Sequence, residues 1–273
     1  MSYLSDIFHL YLGLFTSSPA AFAVFNAVLG LLVGSFLNVV AIRVLSNESV
    51  VFPPSHCMHC KHRLSILDLI PVFSYLALGA KCRYCKSPIS ARYALWETAT
   101  GILFVLAGMY SGPSAEWLIS LFFISILVVV TQTDLKEMMI PDRVVLFGAA
   151  AALLLRGWHH PLPFSHYLYG LLVGSGVLLL IALGSGWLLK KEAMGGGDIK
   201  LFGFIGLVLG VKLTLLAFFL ACLAGTLLGI ILIATRVMKR DQYLPFGPYI
   251  ALGSIVSYFW GDGLLNGYVN LIS

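Results

Sequence analysis

The sequence predicts an all-α polytopic membrane protein with a small cytoplasmic zinc-binding loop domain. Three observations lead there. Hydrophobic residues make up 59% of the chain and charged residues only 11%, against about 25% charged in soluble domains. The apolar residues gather into about eight segments, at 20–42, 93–110, 117–133, 144–155, 167–189, 201–211, 213–235 and 246–265, two of them short. Between the first two segments lies the one long polar stretch, Val44–Arg92, with four of the five cysteines. Three parts are therefore expected: a first transmembrane helix within 1–43, a tetra-cysteine domain over 44–92, and a transmembrane bundle over 93–273 that carries the catalytic candidates.

The first segment belongs to a run without Asp, Glu, Lys or Arg from Ile7 to Ile42. It lacks a basic start and a clear small-residue cleavage site, so it is expected to stay in the membrane as a helix. If 44–92 is cytoplasmic, alternation places fifteen of the seventeen Lys and Arg inside, among them Lys190, Lys191 and Arg240, and only Arg156 and Lys212 outside. Such an excess of inside positive charge explains the net charge of +5 without nucleic acid, and it puts both termini on the outer face.

The polar stretch holds Cys57-Met58-His59-Cys60 and Cys82-Arg83-Tyr84-Cys85, two CxxC pairs with twenty-one residues between them. In a reducing compartment two such pairs supply the four thiolates of a tetrahedral zinc site, a redox pair being the alternative. Four cysteines close the coordination sphere. The metal, Zn2+ bound by Cys57, Cys60, Cys82 and Cys85, is therefore expected to staple a domain too small to build its own core rather than to catalyse. His56, His59 and His62 read as surface residues, with replacement of one cysteine ligand by a histidine as the open alternative. Cys222, inside an apolar segment, reads as a packed small side chain.

Asp134 follows the apolar run Leu121–Val130 and so ends a membrane segment on the inside; Pro141 offsets the chain before the next one. Glu137 and Asp142, beside Lys136 and Arg143, read as solvated helix-end charges. Asp198 closes the run Gly195-Gly196-Gly197-Asp198. A carboxylate at the mouth of an apolar helix faces protein or water and is a functional candidate by default, a solvated turn being the plainer reading. The segment after it, Leu201–Val211, spans roughly 16 Å, about half of a ~30 Å hydrocarbon core. The three glycines permit close approach of another helix or of an extended peptide. The stretch Leu244-Pro245-Phe246-Gly247-Pro248-Tyr249 reads either as non-helical backbone whose amides pair with an added peptide, or as a plain helix start. Gly170, Gly174, Gly225 and Gly229 fit close helix packing.

Two aspartates brought together share one proton, so that one acts as general base on water and the other as general acid. Neither GxSxG, HExxH nor a P-loop offers another chemistry. Amide hydrolysis by Asp134 and Asp198 is the best single reading of the pair. The rivals are a proton-coupled transporter using the same aspartates, disfavoured by their position at one face, and a nucleic-acid-binding zinc ribbon, disfavoured because the loop has only scattered charge.

Gly34-Ser35-Phe36-Leu37-Asn38-Val39-Val40 in the first segment, the two CxxC pairs, Asp134 seven residues before Pro141, the GxGD of Gly195–Asp198 and the late Pro245-Phe246-Gly247-Pro248 stand in one order over about 30–253. Together they resemble the bacterial type IV prepilin peptidases. The resemblance implies a presenilin-like aspartyl protease of the bacterial inner membrane, with Asp134 and Asp198 as its carboxylate pair. It implies cleavage of the basic leader of prepilins and pseudopilins after a glycine on the cytoplasmic side. The cysteine loop goes with members that then methylate the new N-terminus from S-adenosylmethionine, for which no residues are named. Membrane lipid is the other expected partner, its anionic surface attracting the leader; the oligomeric state stays open.

Overall fold

The computed structural model describes residues 18–189, 195–239 and 242–272; among these it is helical, without a strand. Lys190, Lys191 and Arg240 of the inside-charge pattern lie outside the described residues. Four helices, Pro19–Leu45, Ala115–Glu137, Phe164–Trp187 and Gly196–Ala234, are long and apolar enough to cross a membrane. The chain divides into two compact units, Met1–Val129 and Val130–Ser273.

The first unit holds α1 (Pro19–Leu45), a 3-10 turn (Ile66–Leu69), α2 (Phe73–Ala77), α3 (Ala91–Ser111) and most of α4 (Ala115–Glu137). Ser18 caps α1 through the Ala21 amide, and Pro19 sits where its missing N–H costs nothing. Apolar helices gain little from burying apolar surface against each other in lipid, so close backbone approach and internal polar contacts must hold them. Both occur here. A methyl group on Gly30 would lie 2.7 Å from the Gly101 Cα, and one on Gly34 2.9 Å from the Glu97 Cα, so α1 and α3 meet backbone to backbone. Asn38 donates to the Tyr93 carbonyl at 3.1 Å, and buried Asn26 accepts from Trp117 Nε1 at 2.8 Å, tying α4 to α1.

Past α1 the buried Arg43 guanidinium donates to the carbonyls of Ser49, Val50 and Pro53 and folds the start of the loop back on the helix end. Further on, Val72 has φ 59° and ψ −47°, and the Phe73 amide reaches back to the Pro71 carbonyl. This is a γ-turn of the rarer hand, on a β-branched residue, and costs on the order of 1–3 kcal/mol. The Val72 amide is held by the buried Glu97 carboxylate of α3 at 2.8 Å.

The second unit takes the end of α4, then α5 (Asp142–Trp158), α6 (Phe164–Leu189), α7 (Gly196–Ala234) and α8 (Gly247–Ile272). The expected segments 201–211 and 213–235 both fall within α7, but α7 is not one rod. Its backbone breaks at Gly210, φ 73° and ψ 176°, a conformation that glycine alone adopts without cost. The rings of Phe202 and Phe218 are 5.6 Å apart, where a continuous helix would separate them by about 24 Å. The second half of α7 therefore folds back along the first. The reversal leaves helix-end carbonyls without partners, and buried Arg156 of α5 donates to one of them, Val208, through Nε at 3.1 Å and a terminal nitrogen at 2.8 Å.

Helix α6 packs on the first half of α7. A side chain on Gly170 would strike the Gly206 carbonyl, one on Gly206 the Gly170 carbonyl, and one on Gly174 the Phe202 carbonyl. Helix α8 runs along the second half: Gly253 meets Ala217 and Ala221, Ser257 donates to the Leu213 carbonyl at 2.6 Å, and Gly225 faces Phe246 and Tyr249. Nothing approaches Gly229 within 4 Å, so close packing is not what that glycine serves. Every residue from Leu201 to Gly210 is buried, as expected of a helix apolar on all sides. Cys222 is half-buried in α7.

Candidate active site and metal centre

The end of α4 and the start of α8 meet at Asp134. The aspartate sits in the last turn of α4 with 5% of its surface exposed. The Gly247 amide, at the first residue of α8, donates to its Oδ2 at 2.7 Å. A side chain on Gly247 would lie 2.8 Å from that oxygen, so any larger residue here would push the Asp134 carboxylate aside. Residues 242–246 are non-helical and the helix begins at Gly247. The stretch is thus non-helical up to Phe246 and helical from Gly247, whose amide goes to Asp134.

Asp198 lies in the first turn of α7, half-buried, its amide bonded to the Gly195 carbonyl at 3.1 Å. The turn before α5 positions it. A methyl group on Gly197 would lie 2.8 Å from Ile140 Cβ, and Lys200 pairs with Asp142 at 2.7 Å. These contacts lock the start of α7 to the chain that leaves Asp134, and the two carboxylates lie within electrostatic range of each other. Glu137 pairs with Lys136 at 3.8 Å and is exposed, so it and Asp142 are helix-end charges as expected, although the partner of Asp142 is Lys200. Backbone donors such as the Gly247 amide carry no residue code; the sequence signal available was a glycine between two prolines ahead of an apolar run.

The cysteine loop is built from two near copies of one turn. The Cys57 amide donates to the His62 carbonyl and the Lys61 amide to the Cys57 carbonyl; Cys82 and Ser87, then Lys86 and Cys82, repeat the pattern. Lys61 and Lys86 both take φ 58°. The four sulfurs lie within 4.8 Å of one another, with Cys57 and Cys85 3.8 Å apart. A tetrahedron with Zn–S of about 2.3 Å has sulfurs about 3.8 Å apart, so the donor set fits zinc. The backbone amides of Cys60 and His59 bring the Cys57 thiol down to about 6, and the Ser87 hydroxyl and amide lower Cys85. Cys60 accepts from the His62 amide, yet burial and the neighbouring thiols push it up to about 11. The cluster contains no histidine: His56 faces the Pro54 carbonyl at 3.1 Å, and the His62 ring lies tilted against Tyr84 with centroids 3.7 Å apart. Burial opposes ionisation of Asp68, but hydrogen bonds from Arg83 and Ser65 carry its carboxyl down to about 2, latching the loop between the two turns.

The family model for the bacterial peptidase A24 N-terminal domain matches residues 28–111, and that for the type IV leader peptidase family matches residues 121–230. A prepilin leader peptidase/N-methyltransferase of Bacillus subtilis is 37% identical over 248 residues, 89% of this chain and 96% of the relative. The chain belongs to the type IV leader peptidase family. Another relative of the same description, from Pseudomonas putida, is 32% identical and covers 93% of the chain and 96% of its own length. In Escherichia coli O78:H11 a type 4 prepilin-like proteins leader peptide-processing enzyme is 33% identical, covering 94% of the chain and 98% of itself. No solved structure matches. Both catalytic candidates fall inside the leader peptidase match and all four cysteines inside the N-terminal domain match.

Proposed function

We propose that the protein is a membrane aspartyl endopeptidase that removes the leader of type IV prepilins and pseudopilins after a glycine on the cytoplasmic side, then N-methylates the new N-terminus. What supports the peptidase is that Asp134 and Asp198, each in the turn at a helix end, lie within electrostatic range of each other, with the Gly247 amide fixing the first. One aspartate, ionised, takes a proton from water as it attacks the scissile carbonyl carbon; the other, protonated, gives its proton to the departing amine. No metal or nucleophilic side chain is required.

The hydrogen bond from Gly247 to Asp134 puts the start of α8 at the same face as the end of α4. That requires an even number of passes between them, and α5, α6 and the two halves of α7 supply four. We read these with α1, α3, α4 and α8 as eight passes, and propose that both termini are periplasmic and the carboxylates cytoplasmic in an inner membrane, a presenilin-like arrangement. A prepilin lying in the bilayer with its leader in the cytoplasm presents its cleavage junction at that mouth. Residues 44–92 form the cytoplasmic zinc domain, in which Cys57, Cys60, Cys82 and Cys85 hold the ion as a staple. S-adenosylmethionine supplies the methyl group of the second step. None of the relatives named above is a transporter.

The test is cleavage of a prepilin in membranes. Asp134→Asn and Asp198→Asn each abolish it while the chain stays inserted; processing by either variant removes the pair from the mechanism.

A further inference from the structure

The peptidase reading uses only the second unit, yet the first unit keeps an apolar run at its surface. From Leu69 to Ala80 there is no charged residue, and Ile66, Leu67, Phe73 and Leu76, in the 3-10 turn and α2, are 64–85% exposed. Large apolar side chains grouped so closely mark a contact surface. The placement of the run says what it meets. Leu69 lines a cavity of about 300 Å3 together with Leu32, Ser35, Phe36 and Val39 of α1. Arg43 is the one charged residue of α1, and Ser35 lies about 12 Å back along the helix from it, Leu32 about 16 Å. The buried Glu97 carboxylate gives a second measure. It holds the Val72 amide at 2.8 Å and accepts from the Ser35 hydroxyl, and it stands about 7.5 Å into α3 past Arg92. By both measures the run lies beside the two helices, on the apolar side of their basic ends.

Non-helical backbone at that depth must find its hydrogen bonds within the protein. Here it does. Pro71 has no N–H, the amides of Phe73, Ser74, Leu76 and Leu78 bond to the carbonyls of Pro71, Ile70, Val72 and Ser74, and the Ser74 hydroxyl donates to the Asp68 carbonyl at 2.9 Å. The Val72 amide goes to Glu97 instead, which gives a buried acid in an apolar helix its task. We propose that residues 66–78 are a re-entrant segment of the cytoplasmic leaflet, with Ile66, Leu67, Phe73 and Leu76 against the acyl chains and Glu97 as the positioning residue that sets its depth. Arg63 before the segment and Lys81 after it, both exposed, face anionic headgroups. The zinc-binding turns on either side are thereby held at the bilayer surface. The proposal rests on the reading of α1 and α3 as membrane passes.

The experiment places p-benzoylphenylalanine at Phe73 or Leu76 of the full-length, zinc-loaded protein in vesicles of phosphatidylethanolamine and phosphatidylglycerol, and identifies the adducts formed on irradiation. Val28 of α1 and Met58 of the first zinc turn, both exposed, serve as membrane and water references. Lipid adducts at 73 and 76 should match those at Val28 and exceed those at Met58 by about tenfold, the least that burial of one such side chain in hydrocarbon implies. Yields at the Met58 level overturn the proposal. So do adducts that go to a second copy of the chain, or to an added prepilin, in place of lipid. If a substituted protein loses its zinc, the unaltered protein labelled from a diazirine-bearing phospholipid decides: label within 66–78 supports the segment, and label confined to the long helices overturns it. A Val28 position without lipid adducts instead removes α1 as a pass, and the proposal with it.

Discussion

The cysteine loop and the carboxylate site are held by opposite means. From residue 46 to 90 only Pro71 and Cys82 are buried, whereas Leu201–Gly210, which carries Asp198 at its head, is buried without interruption. A segment with so little core cannot offset its own chain entropy, so in the reading proposed above the loop depends on an ion held by its four cysteines and on hydrogen-bonded turns that repeat at each CxxC. The carboxylate site is gathered by close approach at two glycines, Gly247 against Asp134 and Gly197 against Ile140. The loop should therefore fail all at once when its metal goes, and the carboxylate site should fail by degrees as backbone approach is lost.

The largest effect expected is on the loop. Structural zinc contributes about 10–16 kcal/mol in small domains, so chelation or Cys82→Ser should make residues 55–89 protease-sensitive, read by limited proteolysis, while α5 to α8 keep their amide protection. If the whole chain melts together, the contrast is wrong. Next come the acids. Asp134→Asn or Asp198→Asn should lower cleavage on the order of 10^4-fold, the upper range for general acid–base catalysis, with zinc content and thermal midpoint unchanged.

Three smaller effects concern approach. Gly206→Leu places a side chain against the Gly170 carbonyl and should destabilise the second unit by about 3 kcal/mol or more, seen as a lower thermal midpoint with the loop's metal retained. Gly247→Ala adds a methyl 2.8 Å from Asp134 Oδ2 and should reduce kcat about 10²-fold through misplacement, with stability close to wild type. Arg156→Leu leaves the Val208 carbonyl buried without its donor and removes a guanidinium 4.8 Å from the Tyr167 ring centroid. A loss of about 1–3 kcal/mol is expected, and cleavage per folded molecule should not change.

Legibility differed between the two sites. The cysteines stood out because ligands three apart in sequence sit on one turn, so spacing alone encodes their geometry. The aspartates stood out for a different reason, the cost of charge beside apolar runs; the chemistry proposed for them needs them together, and 63 residues intervene. Gly229 looked like Gly225 and has no neighbour, because a small residue permits contact without specifying what arrives.

The sequence by itself determined a helical membrane chain, its tetra-cysteine loop and its pair of candidate acids, since hydropathy, charge and short spacing are local properties of the chain. Only the tertiary structure decided that α7 turns back at Gly210, that Arg156 caps the turn, that the Gly247 amide serves Asp134, and that Glu97 steadies a strained Val72. Each of these is a backbone group meeting a partner from another helix, and backbone groups are alike at every position until packing selects one.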